Sequence, residues 1–417
     1  MEHTWKRRFF IIFLGQTFSI IGSAAVQFAI IWYLTARTGS AVTLSAAAIA
    51  GYLPGILLGA FAGVYIDRSR KRTVMIAADG LIAASSLVLA AAFLTAAEPS
   101  AALIYVILFV RGIGTVFHGI SMQSAIPLFV PETELVRAGG WAQFVNGAGN
   151  LIGPALGAAL ITFMEMEYVM LVDVAGAVLA IACLACVKLN DPKKEYDREE
   201  RPNFTAEFRQ GFRALRRNVP LARSMPHYVL TGILYMPVNA LFMLLVVDHY
   251  GGTQVEAGYM EAAAALGAIL GSVLIGKFGG MRRKLSVFSA ATATLGVLAF
   301  IVGSLPPGLF WAAMGAVVLL GVNVPFFTVP IGAYTQESVP MEELGRVTSL
   351  AYTLCYIGNP IGIAVSGLVG DLIGVDRLFA CLGLLLAANG LLCLARVRGP
   401  EREYLERADF CAEEKSA

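Results

Sequence analysis

Residues 63–72 of this chain read Gly63-Val64-Tyr65-Ile66-Asp67-Arg68-Ser69-Arg70-Lys71-Arg72. This short loop carries five charged side chains, and it joins two long segments that are almost entirely apolar. Basic residues between apolar runs of that length are typical of an inner turn between two transmembrane helices. The loop therefore predicts a membrane protein and marks the inner ends of two adjoining helices.

The composition of the whole chain leads to the same conclusion. Of its 417 residues, 57% are apolar and only 14% are charged, and the mean hydropathy is +0.71. Soluble globular proteins carry about 25% charged residues, and a soluble protein of this size cannot bury so much apolar surface. The bilayer must therefore be the solvent, and the spans should be helices because lipid offers no partner for free backbone groups.

Twelve segments are long and apolar enough to cross a hydrocarbon core, which takes about 20 residues. We predict spans at about 9–36, 43–66, 73–97, 101–128, 138–164, 167–189, 224–249, 255–278, 283–304, 308–335, 344–371 and 375–396.

The basic residues are distributed unevenly between the two sides of these spans. Arg37 and Arg377 fall in predicted outer loops and Arg111 falls inside a span, whereas all other Lys and Arg residues fall on the predicted inner side. Under the positive-inside rule, both termini are predicted to be cytoplasmic. An even number of spans is then required.

The apolar pattern breaks once, at about 190–222. We predict an N-terminal six-helix bundle at 1–190, a cytoplasmic linker at 191–222, a C-terminal six-helix bundle at 223–400 and a cytoplasmic tail at 401–417. In the linker, apolar and basic residues recur at helical spacing. This pattern fits an interfacial helix with its basic face towards anionic lipid, and it fits a solvated linker helix nearly as well.

The two halves of the chain look related. Pro131–Arg137 matches Pro340–Arg346 at an offset of 209 residues, and the same offset places Gly153 on Gly362. Duplicated bundles with a site at their interface are common among transporters. The predicted fold is therefore an all-α membrane protein with twelve transmembrane helices in two pseudo-symmetric six-helix bundles.

Three ionisable residues lie inside spans, and the two acidic ones are candidates for carrying a proton. Arg111 lies in the fourth span, Asp173 in the sixth and Glu261 in the eighth. A buried charge at the bilayer centre costs about 3 kcal/mol on insertion scales and should face a cavity or a partner. Hydrocarbon disfavours the ionised carboxylate, so such a group can exchange protons near neutral pH. Asp173 can instead be a permanent partner of Arg111.

Two further ionisable residues are expected to be structural. Asp79 lies nearer the inner face of the third span, and His118 follows Arg111 by seven residues on the same helix face.

Polar and aromatic residues in the spans are candidate substrate contacts, because mixed apolar pockets suit bulky amphipathic ligands. The candidates are Gln27, Trp32, Gln123, Asn146, Asn239, Asn323, Phe327, Tyr356 and Asn359. The sequence has no phosphate-binding loop, metal-ligand cluster or nucleophile triad. We therefore expect no enzyme activity, cofactor, metal or nucleic-acid partner, and an ion or substrate gradient as the energy source.

Across almost its whole length, the sequence resembles a transporter of the major facilitator superfamily. Within it, the sequence is similar to the macrolide-efflux-like drug:proton antiporters. The resemblance is carried by Trp5–Phe9, by the loop at 63–72, by Arg111–His118, by Pro127–Pro131 and by Leu171–Asp173.

The resemblance implies a part in proton coupling for Arg111 of the fourth span, and it implies roles for two motifs. In the loop, Gly63, Asp67, Arg68 and Lys71 would latch the outward-facing state, although the family often has Gly where Arg70 stands. In the fifth span, four residues look like the motif of exporters that exchange substrate for protons, with glycines spaced to let a second helix pack closely. These residues are Gly149, Gly153, Pro154 and Gly157.

The resemblance also implies a function. The chain would be a secondary active transporter of the bacterial inner membrane that exports a lipophilic, macrolide-like compound by proton antiport and alternating access. Alternatives are an exporter or flippase of an endogenous amphiphile, such as a siderophore or lysolipid, and facilitated uptake. Expected partners are a small amphipathic substrate, protons and membrane lipid, and the chain is expected to act as a monomer.

Overall fold

The computed structural model describes residues 2–95, 98–128, 130–131, 135–187, 204–277 and 281–416. All regular structure in these residues is helical, as a backbone in hydrocarbon requires. The chain divides into two compact units. The first comprises Met1–Arg198 and Gly251–Ala262, and the second comprises Glu199–Tyr250 and Ala263–Ala417.

The first unit is built around six helices. They are α1 (Glu2–Thr38), α2 (Ala41–Arg68), α3 (Lys71–Thr95), α4 (Ala101–Ala125), α5 (Leu135–Phe163) and α6 (Met166–Cys186). Within this unit α1 packs against α5 and α6, α2 against α4, and α3 against both α4 and α6. Helices α2 and α4 start after Ser40 and Ser100, whose hydroxyls accept hydrogen bonds from backbone N–H groups of the first turn.

The second unit holds the remaining helices. They are α7 (Phe204–Arg217), α8 (Val219–Ala240), α9 (Phe242–Asp248), the end of α10 (Gln254–Lys277), α11 (Lys284–Ser304), α12 (Phe310–Ser338), α13 (Met341–Ile373) and α14 (Val375–Ser416). Helix α11 packs against α12 and α14, and α8 packs against α13 and α14. The beginning of α10 belongs to the first unit.

The helices account for the predicted spans. In the described residues, nine helices are long and apolar enough to cross a membrane, and α8 with α9 makes a tenth when they are counted as one bent span. Helices α5 and α13 contribute shorter apolar stretches, Gly147–Phe163 and Gly358–Ile373. This count is consistent with twelve spans.

One predicted span is not a single continuous helix. The segment predicted at 224–249 forms α8 and α9, which meet at an angle of 45°. Pro237 has no N–H for the helical hydrogen-bond pattern, and Leu241 between the two helices has a non-helical backbone (φ −103°, ψ 8°). The sequence pattern conceals this bend because both sides of it are apolar.

Helix α7 of the predicted linker and the start of the predicted tail both pack within the second unit. Ala214 and Leu215 of α7 are buried in its core, while Phe212 stays exposed beneath the guanidinium of Arg216, 4.5 Å from the ring centre. Helix α14 continues through the predicted start of the tail. There Glu401 is buried and accepts hydrogen bonds from the backbone N–H groups of Leu285 (2.6 Å) and Ser286 (3.0 Å). A carboxylate at the start of α11 satisfies N–H groups that the helix itself cannot.

Glycines set the closest helix approach in the second unit. A Cβ on Gly321 of α12 would meet the backbone carbonyl of Ala264 on α10, whereas a Cβ on Gly315 of the same helix would meet nothing within 4 Å. Backbones in membranes approach closely where side chains are small.

We predict that Gly321→Ala destabilises the protein and Gly315→Ala does not. Overpacking a close contact costs about 1–3 kcal/mol, whereas alanine in an open helical position gains up to about 1 kcal/mol over glycine. Thermal unfolding of both variants in one detergent provides the measurement. Equal midpoints for the two variants would contradict the close approach.

Candidate functional site

The first unit contains a buried ion pair. The Nη1 atom of Arg111 on α4 contacts Oδ2 of Asp173 on α6, and both side chains are buried, Asp173 completely. Ser23 donates to Oδ1 of this carboxylate at 2.5 Å, and Ser86 donates to Oδ2 at 2.7 Å. The structure thus brings together two of the three predicted coupling residues, in the arrangement of permanent partners.

Four helices build this arrangement. Arg111 also donates to the hydroxyl of Ser86 at 2.5 Å and to the backbone carbonyl of Ser23 at 3.4 Å. The guanidinium and the carboxylate neutralise each other, and both carboxylate oxygens accept from donors. Each charge of this buried pair is therefore compensated, which a buried ion pair requires. Sequence reasoning missed both serines.

A second polar cluster lies in the same unit. Gln16 of α1 donates from Nε2 to Oδ2 of Asp79 on α3 at 3.4 Å, and its Oε1 lies 2.7 Å from Nε2 of His118 on α4. Nε2 of His118 also lies 3.6 Å from Oδ1 of Asp79. Asp79 and Gln16 are buried. The two residues expected to be separate structural groups therefore form one hydrogen-bonded cluster.

Glu261 has a different environment. It lies half-buried on α10, within the first unit. In the described part of the chain, no hydrogen bond or ion pair involves its carboxylate. One turn earlier on α10, a Cβ on Gly258 would lie 2.7 Å from Ala158 and 3.3 Å from the carbonyl of Pro154, both on α5. This segment of α10 therefore packs beside the proline of the fifth-span motif.

The motif glycines face α1. A Cβ on Gly149 would lie 2.7 Å from Ile20, and one on Gly157 would lie 2.6 Å from the carbonyl of Ala25. Gly153 lies between them against Ala24. The second helix that these glycines admit is therefore α1.

The charged loop is the short connection between α2 and α3. Among the described residues, nothing lies within 4 Å of a Cβ built on Gly63. Lys71 donates to the carbonyl of Ile66 at 3.5 Å. The side chains of Asp67 and Arg68 lie outside the described residues.

The described members of the predicted substrate contacts differ in their exposure. Gln27, Gln123 and Asn239 are exposed and Trp32 is half-buried, while the side chains of Asn146 and Tyr356 lie outside the described residues. A cavity of about 590 Å³ in the first unit is lined by other residues, among them Ser69, Arg70 and Phe117.

Two of the predicted contacts are partly explained by packing in the second unit. Asn323 donates to the carbonyl of Ala291 at 3.1 Å, and Phe327 packs edge-on against Tyr235. Asn359 differs, since its buried Oδ1 has no hydrogen-bond partner among the described residues. It remains the candidate with unused hydrogen-bonding capacity.

We predict that Arg111→Met lowers the free energy of unfolding by about 3–5 kcal/mol, because it leaves Asp173 buried and uncompensated. The double variant R111M/D173L removes both charges and should recover most of that loss. SDS-induced unfolding in mixed micelles measures both. The control is Arg37→Met, which breaks the exposed pair with Glu98 and should cost about 0–1 kcal/mol. A single Arg111 variant as stable as the control would contradict the buried pair.

Comparisons with known proteins agree with this architecture. The sequence model of the Major Facilitator Superfamily matches residues 12–363 and 228–409. Macrolide efflux protein A of Streptococcus pyogenes is 36% identical over 395 residues, which cover 94% of this chain and 96% of that protein. The multidrug efflux pump Tap of Mycobacterium tuberculosis is 26% identical over 411 residues and is covered to 96%.

Solved structures share the fold. A bacterial homologue of the human lysosomal transporter Spinster, in an inward-facing and unoccupied conformation, superposes with a TM-score of 0.71 at 13% identity. The superposition covers 96% of this chain and 98% of that one. With the family match and a relative at 36% identity over nearly the whole chain, the chain belongs to the major facilitator superfamily.

Proposed function

We propose that this protein exports a lipophilic, macrolide-like compound across the bacterial inner membrane by proton antiport. The observation that carries the proposal is its similarity, over nearly the full length of both chains, to macrolide efflux protein A. The similarity to a multidrug efflux pump points to the same class of cargo. Both relatives align end to end, so the proposal concerns the whole chain rather than one bundle.

The proposed energy source is the proton gradient. Glu261 supports this proposal because its carboxylate is half-buried and no described residue pairs with it. A carboxylate in such surroundings is the simplest coupling device, since a proton and a cationic substrate compete for it. Its helix packs beside Pro154 of the glycine motif, which resembles that of substrate:proton exchangers.

Alternating access completes the proposed mechanism. Two six-helix bundles would rock about a central site, with both termini cytoplasmic and the protein acting as a monomer. The loop at 63–72 would latch the outward-facing state through Asp67 and Arg68, with Gly63 and Lys71 shaping the turn. A ligand can shift such an equilibrium only through different affinities for the two states. Proton and cargo would supply this difference in affinity by binding at Glu261.

Everted membrane vesicles test the proposed antiport directly. We expect vesicles containing the protein to accumulate radiolabelled erythromycin when respiration acidifies their lumen, because the exporter then pumps inward. Collapse of the pH gradient should abolish this accumulation, and vesicles without the protein provide the background. Accumulation that is unchanged after the collapse would exclude proton antiport.

We predict that Glu261→Gln uncouples transport while the protein still folds. Gradient-driven accumulation should fall by about tenfold, within the usual range of coupling between two ligand sites, while erythromycin exchange without a gradient continues. Glu403→Gln, on the exposed part of the last helix, is the matched control and should behave as wild type. Full gradient-driven accumulation by Glu261→Gln would remove this residue from the mechanism.

A further inference from the structure

The polar residues in the core of the first unit form two layers. Helices α1, α3 and α4 each contribute one residue to each layer, and the two residues on a helix are seven positions apart. The pairs are Gln16 and Ser23, Asp79 and Ser86, and His118 and Arg111. Seven residues make almost two helical turns, so both members of a pair face the same side about 10 Å apart. All six side chains take part in hydrogen bonds across helices.

The first layer, which we name the Arg111 layer, has a fixed charge. It contains Ser23, Ser86, Arg111 and Asp173 of α6. One positive and one negative charge cancel, and the carboxylate accepts from both serines and the guanidinium. Adding a proton to Asp173 would leave Arg111 uncompensated in the core, which is unfavourable. This layer is therefore poorly suited to exchanging protons.

The second layer, the His118 layer, contains Gln16, Asp79 and His118. The oxygen of the Gln16 amide only accepts hydrogen bonds, so the Nε2 atom of His118, 2.7 Å away, must carry a hydrogen. The Gln16 amide nitrogen then faces Asp79 and donates to its carboxylate. With a neutral imidazole, this arrangement holds one uncompensated negative charge. Asp79 is only 2% exposed.

The charged groups around the His118 layer do not compensate its negative charge. The charged groups acting on Asp79 are His118 itself and Asp173, which is already paired with Arg111. Helix α1 contributes the uncharged Gln16. Tyr65 of α2 packs edge-on against Phe117, the chain neighbour of His118. Among the described side chains, α5 adds no charge to the layer. A proton bound by Asp79 and His118 would make the His118 layer neutral.

A cavity of about 590 Å³ lies beside the layer. Ala78, Gly114 and Phe117 line it, together with Ser69 and Arg70 of the charged loop. Ala78 and Phe117 are the immediate chain neighbours of Asp79 and His118. A cavity of this volume has room for several water molecules.

On the basis of the proton antiport proposed above, we propose that Asp79 and His118 bind a coupling proton, with Gln16 bridging them. The layer takes up one proton from water, with no other bond made or broken, and becomes an imidazolium beside a carboxylate. Release of the proton restores the negative charge. The Arg111 layer keeps its charge throughout and holds α4 and α6 in place.

Histidine-selective ¹⁵N NMR of the full-length protein in nanodiscs tests the protonation step. We expect the His118 signal, assigned by its loss in His118→Gln, to change with pH between two protonation states in wild type. Asp79→Asn removes the neighbouring carboxylate and should alter this change. His227 is the internal control. Its Nδ1 contacts Asn389 and its Nε2 faces Arg396, so Asp79→Asn should leave its signal unchanged.

Transport in everted vesicles tests the coupling. Gradient-driven accumulation of radiolabelled erythromycin by Asp79→Asn and His118→Gln should fall by about tenfold, with exchange retained in the absence of a gradient. Glu406→Gln, an exposed residue, is the carboxyl-to-amide control. If accumulation is gradient-driven in wild type and equally so in both variants, only the assignment of the coupling proton to Asp79 and His118 is overturned. If accumulation by wild type does not depend on the gradient, the proposed antiport fails. The assignment of Asp79 and His118, which rests on it, then fails too. A His118 ring with one protonation state at every pH would also overturn it.

Discussion

Lipid hydrocarbon neither donates nor accepts hydrogen bonds, so a buried charged side chain in this protein needs hydrogen-bond partners from the protein itself. The carboxylate of Asp173 meets this requirement with donors from α1, α3 and α4. At the start of α11, Glu401 meets it by accepting from backbone N–H groups that the helix leaves unsatisfied. Such contacts specify which helices are neighbours, because an apolar surface in lipid does not distinguish one helix from another.

Close packing also determines which helices are neighbours. Dispersion between helices grows as their backbones approach, and a hydrophobic driving force between them is absent in lipid. Gly153 against Ala24 on α1, and Gly321 against Ala264 on α10, are positions where a larger side chain would force the helices apart. Polar contacts and small residues thus act on the same pairs of helices, with α1 joined to α5 by glycines and to α6 through Ser23.

Features that depend on long sequence patterns, such as the helix positions, could be predicted from the sequence. Features that depend on a single contact between helices could not. Helix positions followed from apolar length and from charges such as those between α2 and α3, and the buried positions of Arg111 and Asp173 were evident. Their pairing remained one of two possibilities, because a sequence does not state distances between helices. Ser23 and Gln16 gave little signal, since an isolated serine or glutamine in an apolar span usually only packs. The bend at Leu241 was hidden by apolar residues on both sides.

The two polar layers have different electrostatic properties, and the proposed proton antiport would use both. A group that helps to hold the fold must keep its charge through the cycle, and the saturated Arg111–Asp173 pair is suited to that. A group that couples must change its charge at modest cost, which requires partners that tolerate two protonation states. Imidazole and carboxylate joined by an amide provide such partners, since Gln16 offers one donor and one acceptor. Seven residues along three helices separate the fixed pair from the changeable one, so changing the charge at Asp79 and His118 leaves the contacts of Asp173 intact.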